Sequence, residues 1–178
     1  YNRYVNSLES KDYEKAYGYY MKMLGWGREY ELFASGKYSP LRILGSGGFG
    51  TAFLCRSKLG DEVVVKALCA PPGLDRSQGM AVVKEAGALK KIDSPYIIGL
   101  EDYGYLDWES YRAPYVVMDY FQGENLEEWI ERRGAFTEER GVEIARALAE
   151  GLRDADGCRV IHRDLKPANV LVVADMVK

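Results

Sequence analysis

The sequence predicts an α+β fold: a small antiparallel sheet carrying one helix, followed by a helical region. Three observations predict it. Between Ser39 and Leu68, short apolar and β-branched runs alternate with glycine-bearing turns. Ser77 to Ile92 then carries apolar residues at helical spacing, before two more strand-like runs. Beyond Gly123 the helical period takes over, in Leu126–Arg133 and in a longer run entered at Thr137.

Each element has its own signal. Residues 1–38 are tyrosine-rich, and Tyr13, Ala16, Tyr17, Tyr20 and Leu24 form one apolar stripe. That spacing predicts a helix from about Lys11 to Leu24, stopped by Gly25 and Gly27. It reads as an N-terminal extension whose helix packs on the rest of the chain or docks a partner. Leu41–Leu44 and Thr51–Cys55 read as strands flanking a glycine cluster. Val63–Leu68 is a third strand, reached through a turn containing Gly60. Pro71, Pro72 and Gly73 break the chain before the Ser77–Ile92 helix, where Val82, Ala86, Leu89 and Ile92 share a face. Leu100–Leu106 and Tyr115–Asp119 complete the sheet. Thr137 is an N-cap, with Glu138 and Glu139 favouring the dipole of a helix that runs to about Ala155. Ile144, Leu148 and Leu152 line one side of it.

The bulk numbers exclude several classes. The chain has 178 residues, 47% hydrophobic and 29% charged, as globular domains have. Its formal net charge is −3, and no basic run tracks a nucleic-acid backbone. No apolar stretch is long enough for a membrane helix, and no secretory pattern is present. Cys55, Cys69 and Cys158 are odd in number and form no C-x-x-C pair, against a disulfide scaffold or zinc site. Reduced, buried thiols in a cytoplasmic protein are expected. The single histidine, His162, leaves few ligands for a transition metal.

Chemistry concentrates in three places. Gly45-Ser46-Gly47-Gly48-Phe49-Gly50 fits G-x-G-x-x-G. A dinucleotide-binding glycine cluster opens a helix, whereas here a strand follows. The loop therefore joins two antiparallel strands, and its glycines let backbone N–H groups approach phosphate oxygens. A hairpin with glycines and no ligand has the same spacing. Lys66 ends an otherwise apolar strand, where its charge needs a phosphate or carboxylate partner unless it snorkels outward. Glu85, on the following helix, is the candidate carboxylate. The third place is His162-Arg163-Asp164-Leu165-Lys166-Pro167-Ala168-Asn169.

This last stretch resembles the catalytic loop of protein kinases, and the glycine loop, strand lysine and helix glutamate follow in that family's order. The resemblance is to eukaryotic-like (Hanks-type) serine/threonine protein kinases. It covers Ser39 to Lys178 as the N-lobe and the start of the C-lobe. It implies a protein-kinase-like fold divided into an extension (1–38), an N-lobe with hinge (39–121) and a partial C-lobe (122–178). The implied substrates are ATP and protein hydroxyls, with Mg²⁺ as the metal. Asp164 would accept or orient the proton of the attacking hydroxyl, and Lys166 would neutralise the transferring phosphoryl group. Asn169 would hold Mg²⁺. Lys66, paired with Glu85, would contact the α- and β-phosphates. Lys166 resembles serine/threonine kinases; tyrosine kinases usually carry alanine and arginine in this stretch. His162 would pack under the loop, and Arg163 would pair with a phosphorylated activation loop.

The resemblance also implies an adenine pocket. Tyr115–Gly123 is similar to the fifth strand and hinge, with Met118 as gatekeeper. The backbones of Asp119 and Phe121 would bond adenine, and Leu44, Ala52, Val64 and Leu171 would sandwich the ring. Gly45, Gly47 and Gly50 would cover the phosphates. The family usually has valine at the position of Ala52 and alanine at that of Val64, so the two sizes are exchanged here. If both side chains face the same ring the volumes offset, and ATP binding survives in a reshaped pocket.

The family's second metal-binding aspartate follows the asparagine by about a dozen residues, which falls beyond Lys178. Asp175, followed by Met176-Val177, is expected in a turn between two short strands. The 178 residues are expected to be part of a longer chain and inactive by themselves. A nucleotide-binding scaffold without catalysis and a small-molecule phosphotransferase are the alternatives. Protein substrate and a regulatory partner on residues 1–38 are the expected partners.

Overall fold

The computed structural model describes residues 2–26, 36–47, 50–67, 86–107 and 112–173. It divides into two compact units, one of Tyr1–Ala86 with Glu101–Tyr120, the other of Gly87–Leu100 with Phe121–Lys178.

The first unit opens with two helices where the sequence predicted one. α1 spans Asn2–Glu9 and α2 spans Tyr13–Leu24. Lys11 turns the chain between them at φ 57°. Asp12 then caps α2, its Oδ1 accepting from the Lys15 N–H at 3.2 Å, so the helix starts after Lys11. Gly25 ends it with φ −72°, its N–H donating to the Lys22 carbonyl at 3.2 Å, and the Trp26 N–H donates to that of Met23 at 2.9 Å. The stop is therefore a right-handed one, not the left-handed turn that glycine usually provides.

Five strands follow: β1 Tyr38–Gly47, β2 Gly50–Ser57, β3 Glu62–Ala67, β4 Leu100–Asp107 and β5 Arg112–Asp119. Their order in the sheet is β1-β2-β3-β5-β4. The β1–β2, β2–β3 and β3–β5 pairings are antiparallel. β1 runs further than Leu41–Leu44 because its glycines stay in the ladder: Gly45 pairs with Ala52, Ser46 with Thr51 and Gly47 with Gly50. Its register shifts twice, at Pro40/Arg42 and at Ile43/Gly45.

The register decides which residues share a face. Ala52 opposes Lys66, Leu54 opposes Val64, Val64 opposes Met118 and Lys66 opposes Val116. Opposed residues project to one side and alternate residues return to it. One face thus carries Ala52, Leu54, Val64, Lys66, Val116 and Met118. The other carries Phe53, Cys55, Val63, Val65 and Val117, all 1% exposed or less. α2 lies over this second face and adds Ala16, Tyr20 and Met23 to the same core. The Tyr20 ring sits 5.6 Å from that of Phe53, and the Tyr17 hydroxyl donates to the Pro40 carbonyl at 2.9 Å. Burial pushes the Cys55 thiol up to about 12, so it is an inert core residue.

In the second unit α3 spans Leu126–Arg133 and α4 spans Glu138–Gly157. Asn125 caps α3 through the Glu128 N–H at 2.8 Å, and Thr137 caps α4 through the Arg140 N–H at 3.3 Å. Two short strands, β6 Glu124–Asn125 and β7 Leu171–Val172, pair antiparallel. The core joins Ile144 and Ala147 of α4 to Val170 and Val172, with Leu126, Trp129, Phe136 and Leu148 around it. Of the expected apolar side of α4, Leu152 stays 39% exposed. Helix before the first pairing is described over residues 86–89 and gives way to a turn at Lys90, short of Ile92. Cys158 is exposed, not buried, because it sits at the C-cap of α4, where the chain turns outward. Cys69 lies outside the described residues.

Candidate active site

The sheet face opposite α2 gathers the sequence-predicted nucleotide residues of the first unit. Gly45, Ala52, Val64, Lys66 and Met118 meet there through the pairings Gly45↔Ala52↔Lys66 and Val64↔Met118. Ala52 and Val64 are diagonal neighbours on that face, so their exchanged sizes act on the same surface. Leu44 occupies the register shift between Ile43 and Gly45. Gly47 and Gly50 close the hairpin as a pair, while Gly48 and Phe49 lie outside the described residues. A strand, not a helix, follows these glycines. Sequence reasoning missed Leu54 and Val116, which share the face; strand alternation from Ala52 and Met118 was the available signal. Lys66 is half-buried on β3, and Glu85 lies outside the described residues.

Asp119 ends β5 opposite Val63. Phe121 follows, its carbonyl accepting the Gly123 N–H at 2.8 Å in a tight turn. A Cβ on Gly123 would run into the Phe121 ring and stand 3.1 Å from the Val172 carbonyl, so a larger residue would force the Phe121 side chain to shift. The same turn delivers β6, whose Asn125 pairs with Leu171 on β7.

The second unit builds the acidic centre. From Lys166 the chain enters a short 3₁₀ turn, Pro167–Asn169, with proline at its start. The turn brings Asn169 back onto Asp164. Its Nδ2 donates to the Asp164 carbonyl at 2.7 Å and to Asp164 Oδ2 at 3.0 Å. Lys166 Nζ reaches the same Oδ2 at 2.9 Å. Hydrogen bonds from Lys166 and Asn169 hold the Asp164 carboxyl below the usual carboxylate range, and the charge of Lys166 adds to the effect. The loop is anchored from below. Val170 is 3% exposed, and its carbonyl accepts the Leu126 N–H at 2.8 Å. Arg140 Nη2 donates to the Val173 carbonyl at 2.8 Å. Arg163 adopts a left-handed backbone, φ 61°, and both it and His162 are exposed. His162 is thus exposed to solvent and does not pack under the loop. Asp175 lies outside the described residues.

With both amide protons of Asn169 turned onto Asp164, its Oδ1 is left as a hard oxygen donor of the kind Mg²⁺ takes. Among the described residues no cluster of three or more His, Cys, Asp or Glu forms a metal site.

A glycine hairpin, a strand lysine and an Asp-Lys-Asn loop thus stand in this order along the chain. The protein kinase domain family matches residues 38–178. The chain belongs to the protein kinase family. Its relatives are serine/threonine kinases of the eukaryotic-like type. The kinase PknB of Mycobacterium tuberculosis is 31% identical over 141 residues, covering 79% of this chain and 22% of PknB. Serine/threonine-protein kinase A of Synechocystis is 35% identical over 153 residues, covering 78% of this chain and 28% of that kinase. Among solved structures, Rad53 1–466 in complex with AMP-PNP matches with a TM-score of 0.67 at 26% identity. That match covers 80% of this chain and 37% of the Rad53 chain. The kinase chain described here spans less than a third of these curated relatives. Its five-stranded sheet unit and helical unit are the N-lobe and first part of the C-lobe of the kinase fold. Among the described residues no helix is long and apolar enough to cross a membrane.

Proposed function

We propose that this kinase transfers the γ-phosphate of ATP to serine or threonine hydroxyls of a protein substrate. The observation that carries the reading is the convergence of Lys166 and Asn169 on Asp164. A carboxylate held below its usual range is ionised at neutral pH and is a weak base. Asp164 therefore serves by orienting the attacking hydroxyl and taking its proton late, as a loose phosphoryl-transfer transition state allows. Lys166 neutralises charge on the moving phosphoryl group, and Lys66 with Glu85 holds the α- and β-phosphates. The glycine hairpin covers the phosphates through Gly45, Gly47 and Gly50. Leu44, Ala52, Val64 and Leu171 pack on adenine beside Met118, and the backbones of Asp119 and Phe121 bond its edge. Mg²⁺, held by Asn169, supplies charge neutralisation on the phosphate oxygens.

Residues 1–38 form an extension that takes a regulatory partner, 39–121 the N-lobe with hinge and 122–178 the start of the C-lobe. The cytoplasm is the proposed location, supported by the free thiols of Cys55 and Cys158. The test uses the intact protein with radiolabelled ATP and a generic protein substrate. Asp164→Asn should lower phosphoryl transfer by about 10²- to 10⁴-fold and leave ATP affinity within twofold. Unchanged transfer in this variant would overturn the assignment. ATP binding without transfer by the wild-type protein would instead make it a nucleotide-binding scaffold.

A further inference from the structure

We propose that the open end of the α1–α2 hairpin docks an acidic peptide segment of a partner protein, one that carries an aliphatic or aromatic anchor beside its carboxylates. The inference deepens the partner-docking reading of residues 1–38 and is independent of catalysis.

The site is a cleft of about 540 Å³ between the start of α1 and the end of α2. That volume lies within the range of pockets that seat small organic groups, about 300–1,000 Å³. Its floor is apolar: Met23 is 4% exposed and Tyr4 packs against the sheet core. Its walls are aromatic and cationic. Trp26 is 66% exposed, Tyr19 is half-buried, and Arg3 and Lys22 stand beside them.

Charge selects the occupant. Among the described residues the lining contains two cations and no carboxylate. Among the described residues neither Arg3 nor Lys22 forms a salt bridge; Lys22 Nζ lies over the Tyr19 ring at 5.7 Å instead. These two cations, without a salt bridge among the described residues, sit on a chain of net charge −3. A basic peptide would meet like charge here, whereas an acidic one is steered in and held. Exposed tryptophan and arginine beside an apolar floor are the residue types that dominate peptide-binding energy. Carboxylates would pair with Arg3 and Lys22 while one apolar side chain enters over Met23 and Tyr4.

Fluorescein-labelled short peptides test this on the intact protein by fluorescence polarisation. Each carries a central Leu or Phe flanked by Glu, Gln or Lys. The Glu peptides should bind at least tenfold tighter than the Gln peptides, and less tightly as salt rises. Trp26→Ala should weaken them at least tenfold. The double variant Arg3→Glu with Lys22→Glu should reverse the preference toward the Lys peptides. ATP affinity, read alongside, should stay unchanged in all variants. Equal binding of Glu, Gln and Lys peptides that is lost in Trp26→Ala would overturn the acidic specificity and keep a docking site. Absence of binding by every peptide, or binding indifferent to these variants, would overturn the site itself.

Discussion

Tyr20→Ala tests whether the two N-terminal helices are a removable appendage or part of the sheet's own core. Tyr20 is 4% exposed, and its ring packs at 5.6 Å from Phe53, 6.3 Å from Tyr17 and 6.4 Å from Tyr4. Phe53 is itself 1% exposed, so the surroundings cannot collapse into the hole without moving β2. Removing a buried aromatic side chain costs about 3–5 kcal/mol, as lost transfer energy plus the cavity left behind. For a chain of this size each kcal/mol lowers Tm by about 2–4 °C, so a fall of roughly 10 °C is expected. Met21→Ala is the control. Met21 is on the same helix but 47% exposed, and its loss should stay within about 0.5 kcal/mol. Urea unfolding gives the free energies. Amide exchange at Phe53 and Val65 shows whether the loss falls on the sheet, where protection should drop in Tyr20→Ala alone. If Tyr20→Ala cost no more than Met21→Ala and left those amides protected, the helices would not belong to the sheet core.

Three further outcomes are expected. Burial, and then the neighbouring Asp119 carboxylate, raise the Glu101 carboxyl above its usual 4.5, with Asp61 and Asp102 adding to the effect. A carboxyl raised in the folded state costs stability once pH exceeds its unfolded value, and not below it. Glu101→Gln should therefore raise Tm at pH 7, with the gain vanishing on acidification below about pH 4.5; a gain that persists in acid would refute the cause. Ala52→Val alone should weaken ATP binding, since overfilling a packed surface costs about 1–3 kcal/mol, and adding Val64→Ala should restore most of it. Strictly additive effects, read by nucleotide titration, would show that the two side chains do not act on one surface. Asn125→Ala should cost about 1 kcal/mol of stability by removing the cap of α3, while Asn125→Asp keeps it; equal melting of the two variants would refute the capping role.

Local signals were readable where they were self-sufficient. The α3 limits and the Thr137 cap of α4 come from capping residues and period within a few positions. The Asp164–Asn169 loop is compact in sequence, and its geometry closes within five residues. What escaped depends on distant partners. α1 has only Tyr4, Val5 and Leu8 as apolar residues in eight, too few for a stripe of its own, and it is held by packing on α2. The glycines of β1 have low strand propensity, and only pairing with Thr51 and Ala52 makes them strand. β6 and β7 are two residues each and exist through one another. The sequence also marked Cys158 as buried from residue type alone, whereas its place at a helix end left it in solvent.

The sheet has two outer borders, β1 and β4, and a free strand border is where one protein molecule can extend the sheet of another. Pro40 has no N–H to offer a newcomer, and its carbonyl is already taken by the Tyr17 hydroxyl. Two breaks of register kink the same strand. At the far border β4 carries the exposed carboxylate of Glu101, a charge that opposes pairing with a like-charged strand. Among the described strands, growth of the sheet by strand addition is thus obstructed at β1 and opposed by charge at β4.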